Sequence, residues 1–316
     1  MLRSIWRERG RLARRAVPVW AVLLLCMLLA GCGIQARHLI EKTALTTGPN
    51  GTDTPGVFGV PFEQVAIASG ARHLDSYVVA ASPACANPPV VVIYHGMQET
   101  ISDWAKAQGF LYDHCVSSVI FDYTGSGNSS RPARFEDVGE DSIAAYEFTE
   151  KRFPGRRVYV LGHSMGNGPM LAAVPHFSSQ PAGVILANTF ASLQQVGSRS
   201  KYFLYRTLRH TVPDWWDNVK SVRKIHVPLL VLHSDADRTI PVMDGRAVFA
   251  AANQPKILTI LHGYGHNALH AQPSEAWWSS VLEFVHAPKA AVAAVKTQER
   301  PKAFAGNYRS MEHGRN

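Results

Sequence analysis

Residues 156–168 read RRVYVLGHSMGNG. Two arginines lead into a short apolar run, Val158 to Leu161, which meets Gly162, His163, Ser164, Met165 and Gly166 without an intervening loop. An apolar run of this length ending at a glycine reads as a buried strand. The next residues, MGNGPMLAAVPHF (165–177), read as a helix with glycines near its start. A strand turning at once into a helix forces strained backbone on the corner residue, here Ser164. Side chains two places before and after it would clash, and Gly162 and Gly166 remove them. The pattern G-x-S-x-G in this setting exposes the serine hydroxyl and aims a helix N-terminus at it, which favours developing negative charge. The stretch therefore predicts a nucleophilic serine on an α/β scaffold.

Working outward, short β-type runs alternate with helical stretches. FEQVAIA (62–68) and LDSYVVAA (74–81) read as an opening antiparallel pair. VVVIYHG (90–96), SVIFDYTGSG (118–127), RRVYVLG (156–162), AGVILANTF (182–190), VPLLVLHSDADRTIP (227–241) and PKILTILHGYGH (255–266) read as strands with their adjoining turns. Helical segments at 101–115, 136–153, 165–177, 244–253 and 274–287 separate or succeed them. This alternation predicts a mostly parallel, eight-stranded sheet with helices on both faces, spanning residues 60–287. Residues 193–226 break the rhythm. They are helical, basic and aromatic, and read as a short lid insertion whose Tyr202, Phe203, Tyr205, Trp215 and Trp216 either roof an apolar pocket or pack on the core.

In such sheets working residues gather beyond the C-terminal ends of the strands. The polar residues there are His95, Asp122, Ser164, Asp235, Asp237 and the group His262 to His266. A serine hydroxyl needs a base, and the base needs a carboxylate to orient it. His266 is the preferred base, on a glycine-flanked loop after the last strand. His262 and His270 are rivals that read as strand-end packing and helix surface. His163 points into packing, and His95 opens an earlier loop. Asp235 and Asp237 both come after the next-to-last strand and are both candidates for the acid.

The motifs YHG, DYTGSG, GHSMG, HSDADRTIP and GYGH, in this order, resemble the α/β-hydrolase superfamily over residues 60–287. NTFASL with a short helical insertion after it resembles its compact, single-domain, membrane-associated serine hydrolases. The resemblance selects Asp237, which is followed by two residues and Ile-Pro, and implies a Ser164–His266–Asp237 triad. It also implies an oxyanion hole from the backbone N–H groups of Met97 and Met165. The first of these loops reads HGMQET where such proteins have a Gly- or Asn-rich version. In this fold the strands after Cys85 and Cys115 are parallel neighbours, so these cysteines are expected to form a disulfide at the edge away from the site. No cofactor and no metal is expected, because no Cys/His set has ligand spacing.

The ends of the chain carry a different message. Residues 1–16 hold six arginines against one glutamate, and VPVWAVLLLCMLLA (17–30) comes directly after them. A basic head and a short apolar run make a secretory signal, 1–31. LLAGC (28–32) resembles the bacterial lipobox, which implies lipidation of Cys32, a tether over 32–59 and a periplasmic-side, outer-membrane location, Gly33 being compatible with that sorting. The 288–316 tail reads as basic and disordered. The net charge of +8 resides at the ends: 32–286 holds 20 basic and 21 acidic residues, which argues against a nucleic-acid module. The expected protein is a lipid-anchored ester or thioester hydrolase acting on small-molecule or lipid acyl esters. The competing readings are a serine peptidase of the same fold and a catalytically silent binding lipoprotein.

Overall fold

The computed structural model describes residues 41–199 and 214–287, with His38, Arg206 and the backbone of 297–300. The signal segment, Cys32, Tyr202, Phe203 and Tyr205 lie outside the described residues.

Eight strands come from the segment read as the hydrolase domain. β1 (Glu63–Ser69) and β2 (Arg72–Val79) form the antiparallel hairpin, and β2 pairs antiparallel with β4 (Ser117–Phe121). From there the sheet is parallel, through β3 (Val90–Tyr94), β5 (Val158–His163), β6 (Gly183–Ala187), β7 (Leu229–Ser234) and β8 (Lys256–Leu261). The spatial order is β1-β2-β4-β3-β5-β6-β7-β8-β9. The ninth strand, β9 (Thr297–Arg300), pairs parallel with β8. This corrects the expectation of disorder for four residues of the 288–316 tail. The physical reason is the bare edge of β8, whose backbone groups accept a partner of almost any sequence.

The helices are α1 (Ala105–Asp113), α2 (Phe135–Arg152), α3 (Asn167–Ala173), α4 (Leu193–Arg199), α5 (Asn218–Ser221), α6 (Val242–Ala251), α7 (Ala268–Ala271) and α8 (Glu275–His286). The central strands are apolar without alternation because both faces are covered. Successive residues point to opposite faces. Val90, Val92, Val160 and Val184 therefore join Val138 and Tyr146 of α2 and Met170 of α3 in one layer. Val91, Ile93, Leu161 and Ile185 join Leu111 of α1 and Trp277, Val281 and Phe284 of α8 in the other. None of the helices among the described residues is long and apolar enough to cross a membrane.

The expected tether proves partly structural. Leu45 is buried in the first layer, and its carbonyl accepts from Ser126 Oγ at 3.2 Å. Asn50 donates to Asp75 at 2.9 Å, and Gly127 N–H donates to Thr47 Oγ1 at 3.1 Å. Residues 41–59 are thus part of the domain, because one leucine and several turn-forming polar side chains find partners on β2 and on the loop after β4.

The disulfide between Cys85 and Cys115 is present, its Cα atoms 5.5 Å apart. Both cysteines precede the starts of β3 and β4, at the edge opposite Ser164, as expected.

Candidate active site

Ser164 sits where β5 ends, with φ of 51°, left-handed backbone that a residue with a Cβ rarely adopts. The flanking glycines are explained by contact. A Cβ on Gly162 would lie 2.8 Å from the Asn167 Cα, and one on Gly166 would overlap the Tyr94 carbonyl oxygen. Asn167 fastens the corner from within, its amide donating to the carbonyls of Ser164 at 2.9 Å and Ala187 at 3.0 Å.

His266 Nε2 lies 2.9 Å from Ser164 Oγ, and His266 Nδ1 lies 2.6 Å from Asp237 Oδ2. Nδ1 beside a carboxylate is the protonated nitrogen, which leaves Nε2 free to accept the serine proton. Asp237 is buried, which by itself raises its pKa. The bond to His266 and the backbone N–H groups of Thr239 and Ile240, at 2.8 and 2.9 Å, outweigh that and hold the carboxyl below its ordinary value. The base is thus oriented by a carboxylate that stays ionised.

The Met165 N–H opens the helical turn Ser164–Gly166, where the first N–H groups have no carbonyl of their own helix. The Met97 N–H is donated to no described carbonyl. Its loop is a tight turn with Gln98 at φ 62°, closed by Gly96 N–H donating to Glu99 Oε2 at 2.7 Å. Met97 itself is 48% exposed.

The rival residues go elsewhere. His262 Nδ1 bonds Asp235 Oδ2 at 2.6 Å on the exposed rim. His95 is buried behind the turn, 3.5 Å from Asp122, and burial lowers its pKa. His163 points to Glu99, 3.0 Å away, and His270 is buried beside Trp104, its ring 4.9 Å from the indole. The insertion is pinched at its base: Leu193 N–H donates to the Trp216 carbonyl at 3.0 Å, and Ser192 bridges Asp217. Trp216 is a core residue, packed against Gly168 and edge-on to Phe135, whereas Trp215 is only partly buried and stacks flat on Phe135 at 4.2 Å.

Sequence reading missed Glu99 and Asn188. The Asn188 amide donates to the His266 carbonyl at 2.8 Å, and its oxygen accepts from Ser234 N–H at 3.1 Å, tying the histidine loop to the end of β7. The one sequence signal for Glu99 was its place in the departing loop HGMQET. Glu99, His163 and His270 place metal-ligating atoms within 4.8 Å of one another. Both ring nitrogens of His163 make hydrogen bonds, to Glu99 and to the His266 carbonyl, whereas those of His270 are buried without a partner.

Residues 86–222 match the family model described as serine aminopeptidase, S33. An uncharacterized protein of Mycobacterium tuberculosis is 28% identical over 183 residues, which cover 57% of this chain and 63% of that protein. The lysophosphatidylserine lipase of Danio rerio is 24% identical over 230 residues, 63% of this chain and 59% of that one. This chain therefore aligns with less than two thirds of either relative. Among solved structures, an esterase of Pyrococcus furiosus superposes with a TM-score of 0.62 at 18% identity, covering 76% of this chain and 98% of that one. Est1E of Butyrivibrio proteoclasticus, solved with ferulic acid bound, superposes with a TM-score of 0.57, also at 18% identity, covering 70% and 97%. These likenesses carry the fold.

Proposed function

We propose that this chain, which has the α/β-hydrolase fold, is a serine hydrolase cleaving carboxylic ester or thioester bonds through an acyl-enzyme. The observation that carries this reading is the continuous hydrogen-bonded line from Ser164 Oγ through both nitrogens of His266 to Asp237. Ser164 Oγ attacks the carbonyl carbon as its proton passes to His266 Nε2. Asp237 holds the imidazolium that forms. The N–H groups of Met97 and Met165 receive the oxyanion, an effect of roughly 3–4 kcal/mol per donor where one has been removed from a serine protease. Collapse of the tetrahedral intermediate expels the alcohol or thiol, which takes the proton from His266. Water then repeats the attack on the acyl-serine.

A lipid acyl ester is the substrate class we favour. The signal and lipobox-like segment would hold the enzyme at the periplasmic face of the outer membrane through Cys32, beside such esters, and one relative is named a lipase. The exposed Met97 adds an apolar rim to the mouth of the site. Residues 193–226 would set acyl-chain preference. A second reading, amide cleavage, draws on the aminopeptidase description of the matching family model.

The test is hydrolysis of p-nitrophenyl esters from acetate to palmitate by the full chain in detergent, with Ser164→Ala beside it. We expect turnover in the parent and a loss of about 10⁶ in kcat in the variant. Covalent labelling by a fluorophosphonate should vanish with it. Faster turnover of aminoacyl p-nitroanilides than of any ester would favour the peptidase instead. A folded, unlabelled and inactive parent would overturn both enzyme readings.

A further inference from the structure

Behind the serine lies a buried arrangement that the triad does not use. His163 is fully buried, and its two ring nitrogens face two acceptors: Nδ1 is 3.0 Å from Glu99 Oε1, and Nε2 is 3.0 Å from the His266 carbonyl oxygen. A neutral imidazole has one N–H. With Glu99 ionised, both bonds are made when the ring carries an N–H on each nitrogen. Glu99 also accepts from Gly96 N–H at 2.7 Å and from the Trp104 indole N–H at 2.9 Å, both at Oε2. Burial on its own raises the Glu99 pKa, but the neighbouring His163 charge and bond, with His270 beside it, bring the carboxyl well below the ordinary range. The charged or titratable groups around the pair include His270 Nε2, 3.5 Å from Glu99, the His266 ring, 5.1 Å from His163 between centroids, His95 at the start of the same turn, and Tyr123 packed on His95.

These contacts join three separate parts of the chain. Glu99 closes the turn that presents the Met97 N–H. His163 is the residue before the nucleophile. The His266 carbonyl belongs to the base. Gly96 has room for no side chain because the Glu99 carboxylate packs onto it: a Cβ would lie 2.5 Å from Oε1. We propose that the buried Glu99–His163 ion pair is a positioning clamp that locks the oxyanion turn and the histidine loop to the nucleophile strand, fixing donor, nucleophile and base relative to one another. This rests on the serine hydrolase reading above. Neither residue touches the reacting atoms. Their contribution is alignment, for which a misplacement of about 1 Å costs roughly 10²-fold.

The test compares Glu99→Gln, His163→Gln and the double variant in the full chain. The double variant keeps the question answerable if a lone buried charge unfolds a single variant, because it leaves none. We expect kcat on p-nitrophenyl esters to fall about 10- to 100-fold, with KM within about threefold of the parent. In ¹⁵N-histidine-labelled protein, His163 should show two protonated ring nitrogens, assigned by their absence in His163→Gln. In Glu99→Gln it should show one. Folded variants with parental kcat, or a single-N–H tautomer of His163 in the parent, would overturn the clamp. So would activity lost to a chelator and restored by zinc, which would put a metal between these side chains. A parent no more active than Ser164→Ala would instead overturn the hydrolase reading, while the ring-nitrogen signals would still report the pair.

Discussion

Two Asp–His pairs span the same two loops. Asp235 and His262 meet at 2.6 Å, and Asp237 and His266 meet at 2.6 Å. By distance they are identical. They differ in surroundings. The Asp235–His262 pair is on the surface, with side chains 40% and 38% exposed. Asp235 is held below its ordinary pKa first by the Gly263 N–H, 2.8 Å away, and then by His262. It fastens the turn after β8. The Asp237 side chain is sealed from solvent and that of His266 is 15% exposed. Asp237 is supplied with two backbone N–H groups from its own turn, and the histidine carbonyl is held from His163 and Asn188. The imidazole it orients has a serine on its other side. A carboxylate and an imidazole in contact are thus no signature of catalysis. The signature is a pair withdrawn from water, fixed from behind, and aimed at a nucleophile.

The sharpest way to break that comparison is to remove the same charge from each pair. Asp237→Asn should lower kcat by about 10⁴, the loss found for this change in a Ser-His-Asp protease. Asp235→Asn, assayed on the same ester, should stay within about twofold, as expected for a surface pair. Equal losses would mean that the rim pair shares in the chemistry.

Removing the disulfide probes the edge of the sheet farthest from both pairs. Cys85→Ser with Cys115→Ser opens a loop of sequence separation 30. This should cost about 3–4 kcal/mol in urea unfolding, with kcat unchanged. A fall in kcat would show that the edges of the sheet are coupled.

A third carboxylate sharpens the point about burial. Asp122 is buried at the end of β4 and accepts from Ile101 N–H at 3.0 Å. Its Oδ2 and the Asn50 Oδ1 are buried without partners and both crowd the space that a Cβ on Gly127 would fill. The Asn50 amide nitrogen donates to Asp75. Burial, with Asp75 nearby, pushes the Asp122 pKa up to about 8. A carboxyl whose folded pKa is raised binds its proton more tightly folded than unfolded. Its contribution to stability is full below the ordinary carboxylate range and is lost as pH rises toward about 8. The urea midpoint should therefore decline over that window in the parent and decline less in Asp122→Asn. An equal decline in both would assign the effect to other groups.

The smallest expected effect concerns the insertion. Trp215→Ala should shift the preference between long and short acyl esters by about tenfold or less, the scale of one or two methylenes in an apolar pocket. An unchanged chain-length profile would leave Trp215 as packing for Phe135 alone.

Local patterns carried much of this molecule. The run into Gly162-His163-Ser164-Met165-Gly166 was legible because strand, corner and helix are neighbours in sequence and the two glycines have local steric causes. The β and α alternation was legible for the same reason. Asp237 and His266 were reachable because the turns after β7 and β8 put their candidates at known places beyond the sheet. Choosing among them took a family resemblance, since Asp235 and His262 offer the same chemistry four residues or fewer away. The Cys85–Cys115 pairing likewise came from strand adjacency in that fold.

The hidden features depend on contacts across long separations. No spacing rule links Glu99 to His163, and nothing in TGPNGT announces that Asn50 will lie against Asp75 and Asp122. The 41–59 segment looked like a tether because its own composition is turn-rich, yet β2 and the loop after β4 supply partners that make it part of the fold. Sequence by itself determined the sheet, the serine and the set from which its partners are drawn. Tertiary structure decided which Asp–His pair faces the serine, which histidine is clamped behind it and which carboxylate keeps its proton, because burial and the identity of the third partner exist only once distant segments are packed together.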